Sequence, residues 1–138
     1  MNTIDNVKII ELPQYSDDRG HLVVVEGGTA IPFNIKRLFY IYASAPAAIR
    51  GRHANKHSDF CMISLSGACK IKVVDCKGNE KVFNLDRPDT GIYIPAMIWK
   101  EMYDFFHDSV LLVLSNEYYD KNEYIINFDK FLKLGEES

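Results

Sequence analysis

One short stretch, Arg50-Gly51-Arg52-His53-Ala54-Asn55-Lys56-His57, gathers much of the reactive chemistry in this chain. His53 is the side chain type whose ordinary pKa lies closest to neutral, so it suits proton transfer. Asn55 stands two residues on, and in extended chain residues two apart face the same side. Its amide can hydrogen-bond a hydroxyl but cannot shuttle a proton near pH 7. Arg50 and Lys56 flank the pair and suit a diphosphate, arginine through two parallel bonds. Arg37 sits among apolar residues and so needs an anionic partner or exposure. Trp99, the only tryptophan, reads either as core or as a stacking surface for a base or sugar. Glu101 is expected to face away from it. Tyr93 and Tyr103 read equally as core tyrosines or hydroxyl donors. His21, His57 and His107 are expected at the surface.

These groups must be held by short β segments. Residues 22–26, 35–43, 60–66, 68–75, 80–85, 91–95, 98–103 and 109–115 are apolar or β-branched and separated by Gly, Pro, Asn and Asp. Cys69, Ile71 and Val73 alternate with Lys70 and Lys72, the period of a half-buried strand. Strands at such intervals predict an all-β sandwich or barrel. Asp120 and Glu123 have the spacing of a capping box. Tyr124, Phe128, Phe131 and Leu132 follow at helical spacing, which predicts a short C-terminal helix with one apolar face.

The 138 residues predict a single domain, 1–138, with enough core to fold without a disulfide or metal. Sixteen basic against nineteen acidic residues give a net charge of −3, which speaks against bulk nucleic-acid binding. No apolar run is long enough for a membrane helix. Residues 1–13 lack a signal peptide's apolar core. Cys61, Cys69 and Cys76 have no CxxC spacing and read as free thiols of a reducing compartment, so the cytoplasm is expected.

A histidine-bearing turn before a strand in a small barrel resembles the cupins. Metal-binding cupins carry two His one residue apart, a Glu soon after and a third His in the second half. Here those positions hold His53, Asn55, Phe60 (or Asp59, with a one-residue slip) and Lys100. One ligand of four does not hold a catalytic metal.

Six segments in order carry a closer resemblance: IKRLFYI (35–41), RGRHANK (50–56), GIYIP (91–95), WKEM (99–102), VLS (113–115) with EYYD (117–120), and YI (124–125). Together they resemble the sugar 3,4-ketoisomerases of the FdtA/WxcM-like family. The resemblance implies a cupin fold, an RmlC-like jelly roll, with no metal and no cofactor. It implies a dTDP-4-keto-6-deoxy-D-glucose substrate and a 3-keto product. That product would feed pathways to the 3-amino-3,6-dideoxy sugars of S-layer glycans and lipopolysaccharide O-antigens. It also implies a homodimer with exchanged N-terminal strands, through which Arg19 would reach the partner's site.

Moving a ketone from C4 to C3 needs a base for the C3 proton and donors for the enolate oxygens. The family pattern is R-G-x-H-A-H-K, whose second His is here Asn55. The difference reads as an engineered substitution that impairs the chain, or as natural divergence that leaves the proton transfer to His53; the intact neighbouring motifs favour the first. Lys100 stands where many relatives carry His or Arg, and it would donate the C4 proton or contact phosphate. The rival readings are a dTDP-sugar 3,5-epimerase and a non-catalytic nucleotide-sugar binding cupin.

Overall fold

The computed structural model describes residues 1–137. The strands are β1 (Lys8–Glu11), β2 (Gln14–Asp17), β3 (Gly20–Val23), β4 (Arg37–Tyr42), β5 (Arg50–Asn55), β6 (Phe60–Ser66), β7 (Cys69–Val74), β8 (Glu80–Leu85), β9 (Thr90–Ile94), β10 (Trp99–Tyr103), β11 (Val110–Ser115) and β12 (Tyr124–Ile125). They form two five-stranded antiparallel sheets, ordered β1-β9-β6-β11-β4 and β12-β5-β10-β7-β8, with β2-β3 as a separate hairpin. A helix, α1 (Phe128–Glu136), follows. This is the expected all-β architecture with a short C-terminal helix. No helix among the described residues is long and apolar enough to cross a membrane.

The core lies between the sheets, where Phe60, Met62, Ile71, Val73, Ile92, Ile94, Met102 and Val113 pack. On β7 the predicted alternation holds: Cys69, Ile71 and Val73 are buried and Lys70 is exposed. Strand β6 is buried on both faces. Its Cys61 and Ile63 turn outward beneath Leu12, Ile31 and Phe33, which roof that side of the sheet. This roof explains why the extended run expected at 22–26 ends as β3 at Val23. The next residues leave the hairpin, and Val25 packs on the sheet's outer face instead. All three cysteines are buried free thiols, and burial pushes Cys61 and Cys69 up to about 12.

The C-terminal segment departs from the expected helix. Asp120 caps only one 3-10 turn, Lys121–Glu123, by accepting from the Asn122 N–H. Glu123 turns into the protein instead of back to the cap. Tyr124 and Ile125 then pair with Asn55 and Ala54 at the open edge of β5. Backbone groups at that edge need partners, and this demand overrides helical periodicity. The helix starts at Phe128, where Asn127 accepts from the Lys130 N–H. It places Phe131 in a cluster with Trp99, Val74, Cys76 and Ile125.

Phe131 is fully buried, so Phe131→Ala should cost about 3–5 kcal/mol of stability in urea titrations.

Candidate functional site

A β-bulge shapes the site. Against β10, His53 is opposite Lys100, Gly51 opposite Glu101 and Arg50 opposite Met102, so Arg52 is an extra residue. Gly51 and Arg52 both take left-handed backbone, with φ of 85° and 57°. A Cβ at position 51 would stand 2.8 Å from the Lys100 carbonyl oxygen, so this turn requires glycine. On a regular strand residues 50 and 53 would face opposite ways. The bulge re-aims them, and both line one cavity of about 180 Å³ between the sheets. Its apolar walls include Phe39 and Ile41 of β4, Phe60 and Met62 of β6, and Tyr124 of β12.

Lys100 is 2% exposed and lines this cavity. Its Nζ donates to Asn55 Oδ1 at 2.9 Å and lies 4.5 Å from the centre of the Phe60 ring. Burial pushes its ammonium down to about 7, against the opposing field of Glu123. Asn55 is fully buried, its carbonyl accepts from the Met97 N–H, and its Nδ2 has no hydrogen-bond partner among the described residues. The His53 ring lies 4.6 Å from that of Tyr124. Burial, with the Lys100 charge adding to it, lowers His53 to about 4, so its imidazole is neutral at physiological pH.

Glu123 fastens the C-terminal segment beside this group. It accepts from the His57 N–H at 3.0 Å, the Ser58 N–H at 2.8 Å and the Ser58 hydroxyl at 2.5 Å. Burial alone would raise its pKa, but these donors outweigh burial and hold it below the usual carboxylate range. Arg37 shares a side of β4 with Phe39. Its guanidinium lies 5.7–5.9 Å from the rings of Phe39, Phe60 and Tyr119. Its Nε and one terminal nitrogen are buried without a hydrogen-bond partner among the described residues.

The fold thus brings His53, Asn55, Lys100 and Arg50 together, with Arg37 alongside. It does not bring the other expected residues to the cavity. Trp99 lies on the outer face of β10 under α1, with ring centroids 5.0 Å from Phe128 and 5.8 Å from Phe131. Tyr103 is on that same outer face, two pairs further along. Glu101 shares Trp99's side rather than facing away, as a two-residue period demands, and accepts from the indole N–H at 2.9 Å. Tyr93 packs with Phe33 in the roofed outer layer of the other sheet. Lys56 follows the last residue of β5 and lines an external groove with Lys130 and Lys133 of α1. Arg19 lies on the exposed hairpin, paired with Asp17. His21, His57 and His107 are at the surface.

Phe60 and Tyr124 line the cavity and Glu123 and Tyr119 lie beside it, though none of them is read from the sequence as a substrate contact. Their signal was present: Tyr119 and Tyr124 fall within the ordered motifs, and Glu123 adjoins them. As metal donors, an imidazole beside an amide and an ammonium form a poor set.

The family model described as FdtA, WxcM-like, C-terminal, matches residues 5–136. The TDP-4-oxo-6-deoxy-alpha-D-glucose-3,4-oxoisomerase of Aneurinibacillus thermoaerophilus is 37% identical over 126 residues, covering 91% of this chain and 90% of the relative. Among solved structures, a His-to-Asn mutant of the 3,4-ketoisomerase QdtA from Thermoanaerobacterium thermosaccharolyticum, in complex with TDP-4-keto-6-deoxyglucose, aligns with a TM-score of 0.92. It is 38% identical, over 96% of this chain and 95% of that one. WlaRA, a TDP-fucose-3,4-ketoisomerase from Campylobacter jejuni, aligns with a TM-score of 0.88 at 41% identity, over 94% and 95% of the two chains.

The lowered His53 pKa has a sign that can be checked. Between pH 4 and 6.5 the unfolded chain holds a proton there that the folded chain does not. Folding stability should therefore fall as pH drops through that window, by about 2–3 kcal/mol from this group. Urea titrations across it should show the slope in the native chain and a shallower one in His53→Gln.

Proposed function

The chain belongs to the FdtA family of WxcM-like proteins, and we propose from that membership that it is a sugar 3,4-ketoisomerase. Its substrate is a TDP-linked 4-keto-6-deoxyglucose and its product the 3-keto-6-deoxyhexose. The observation that carries the reading is the apolar cavity in which His53 meets the buried Lys100–Asn55 pair. The C3 proton is acidic only because it lies alpha to the C4 ketone, so the reaction needs a base at C3 and donors at the enediolate oxygens. A neutral His53 supplies an N–H donor to a developing oxyanion. Apolar walls of Phe60 and Tyr124 exclude water and strengthen that interaction. Arg50, exposed where it lines the cavity, takes the diphosphate, and the unpartnered nitrogens of Arg37 offer a second anion contact.

The working unit in this reading is a homodimer with exchanged N-terminal hairpins, acting in the cytoplasm on the route to aminodeoxy sugars of surface glycans. Two features support the dimer. The β2-β3 hairpin carries exposed Tyr15 and Leu22, and its strands pair only with each other. The outer face of β4 exposes Leu38, Tyr40 and Tyr42, an apolar patch on an edge strand. An exchanged hairpin would carry Arg19 toward the partner's cavity.

Incubation with TDP-4-keto-6-deoxyglucose in deuterated water, followed by NMR, tests the activity. Deuterium at C4 with the ketone at C3 is expected. Deuterium at C3 and C5 with the ketone still at C4 would mean a 3,5-epimerase, and binding without any exchange would mean a non-catalytic cupin. Light scattering should give twice the chain mass, and the Tyr40→Glu/Tyr42→Glu double variant should give the single mass.

A further inference from the structure

Glu123 is 4% exposed and has no lysine or arginine within ion-pair distance among the described residues. It accepts instead from three consecutive residues of the turn that leaves β5. Its backbone carbonyl takes the Lys56 N–H at 3.0 Å, and its carboxylate takes the His57 N–H, the Ser58 N–H and the Ser58 hydroxyl. We propose that Glu123 is a positioning residue of the isomerisation: its clasp on the β5–β6 turn fixes the Tyr124 ring against His53, and so sets the orientation and the dryness of the imidazole. The inference rests on the ketoisomerase reading above and deepens it.

Strand β12 is only two residues long, with Tyr124 opposite Asn55 and Ile125 opposite Ala54. A ladder this short contributes little hold of its own. Its two side chains part to opposite faces. Ile125 enters the outer cluster with Trp99 and Phe131, and Tyr124 enters the cavity. A slip of one residue would exchange them. The bonds of the adjoining Glu123 oppose that slip. A hydrophobic residue at position 123 could anchor the segment by burial, but burial is non-directional. A carboxylate accepts at preferred angles from N–H groups already fixed in the turn, so it sets position more finely.

The Tyr124 ring lies 4.6 Å from that of His53 and 5.7 Å from that of Tyr119. The imidazole is therefore covered by a ring whose own place depends on the clasp. A misplacement of about 1 Å at a reacting group costs on the order of 10²-fold in rate. Glu123 touches no substrate in this account and acts through Tyr124. The titratable and charged groups around His53 are Lys100 from β10, Arg50 at the cavity rim, Tyr124 from β12 and Glu123 from the 3-10 turn. The Glu123 charge favours the imidazolium, so removing that charge alone would lower His53 further. Loss of the clasp has the opposite sign, because a displaced Tyr124 admits water and relieves the burial that disfavours the cation.

Glu123→Gln tests the assignment. It keeps the side chain's size and replaces one accepting oxygen with a donor that faces donors. With the TDP-linked 4-keto sugar as substrate, kcat should fall at least about tenfold. Affinity for TDP, measured by calorimetry, should stay within about threefold. Followed by NMR, the His53 imidazole should titrate above its native value of about 4, toward 6.5. Its signal is the one missing from His53→Gln. Ser58→Ala removes one donor and leaves the carboxylate in place. It should move kcat and the His53 titration the same way by less, and it carries the test if Glu123→Gln does not fold. A His53 pKa that is unchanged or lower in both variants would overturn the assignment and leave the ketoisomerase reading standing. So would a Glu123→Gln protein that keeps more than about a tenth of native kcat. A native protein that binds TDP yet makes no 3-ketone would overturn both, a result that needs no variant.

Discussion

A cation at 2% exposure whose polar contact is an amide is the demand around which this site is built. Removing an ammonium from water costs several kcal/mol. A structure that tolerates this must supply packing on every side. The wall of Phe60, Met62, Met102 and Val113 does so, and its residues belong to the same core that joins the two sheets. The chemistry and the hydrophobic core are therefore one object. The desolvation that lowers the basicity of Lys100 and His53 arises from the packing that stabilises the fold.

Two local devices make that arrangement possible. The Gly51–Arg52 bulge brings residues 50 and 53 to one side, so a cation at the rim and an imidazole inside come from a single strand. The Glu123 carboxylate gathers two backbone N–H groups and a hydroxyl from the β5–β6 turn, which sets Tyr124 against His53. Charge-assisted hydrogen bonds of this kind are about twice as strong as neutral ones. Glu123 thus acts on the reactive group through position rather than contact.

Most strands were legible because alternation and turn residues are local signals, whereas β1, β2 and β12 lie outside the expected segments. Sheets form where apolar residues recur at every second position, as on β7, and β6 and β8 begin and end where the pattern does. The site was legible where one motif carried it, at Arg50, His53 and Asn55. Elsewhere the sequence could not say which face a residue takes. Trp99 and Tyr93 read either as core or as ligand contacts, and α1 and the outer roof cover them. Asp120 and Glu123 show capping-box spacing, yet the unpaired edge of β5 claims the segment for a strand. That outcome depends on residues some seventy positions upstream, which no local window contains.

The Glu123 contacts span 65 and 66 residues of chain. A nascent chain could complete much of the sandwich before residue 123 leaves the ribosome. It would still lack the ring that covers His53. The order of synthesis therefore separates the folding of the scaffold from the completion of the cavity, which waits on the last eighth or so of the chain.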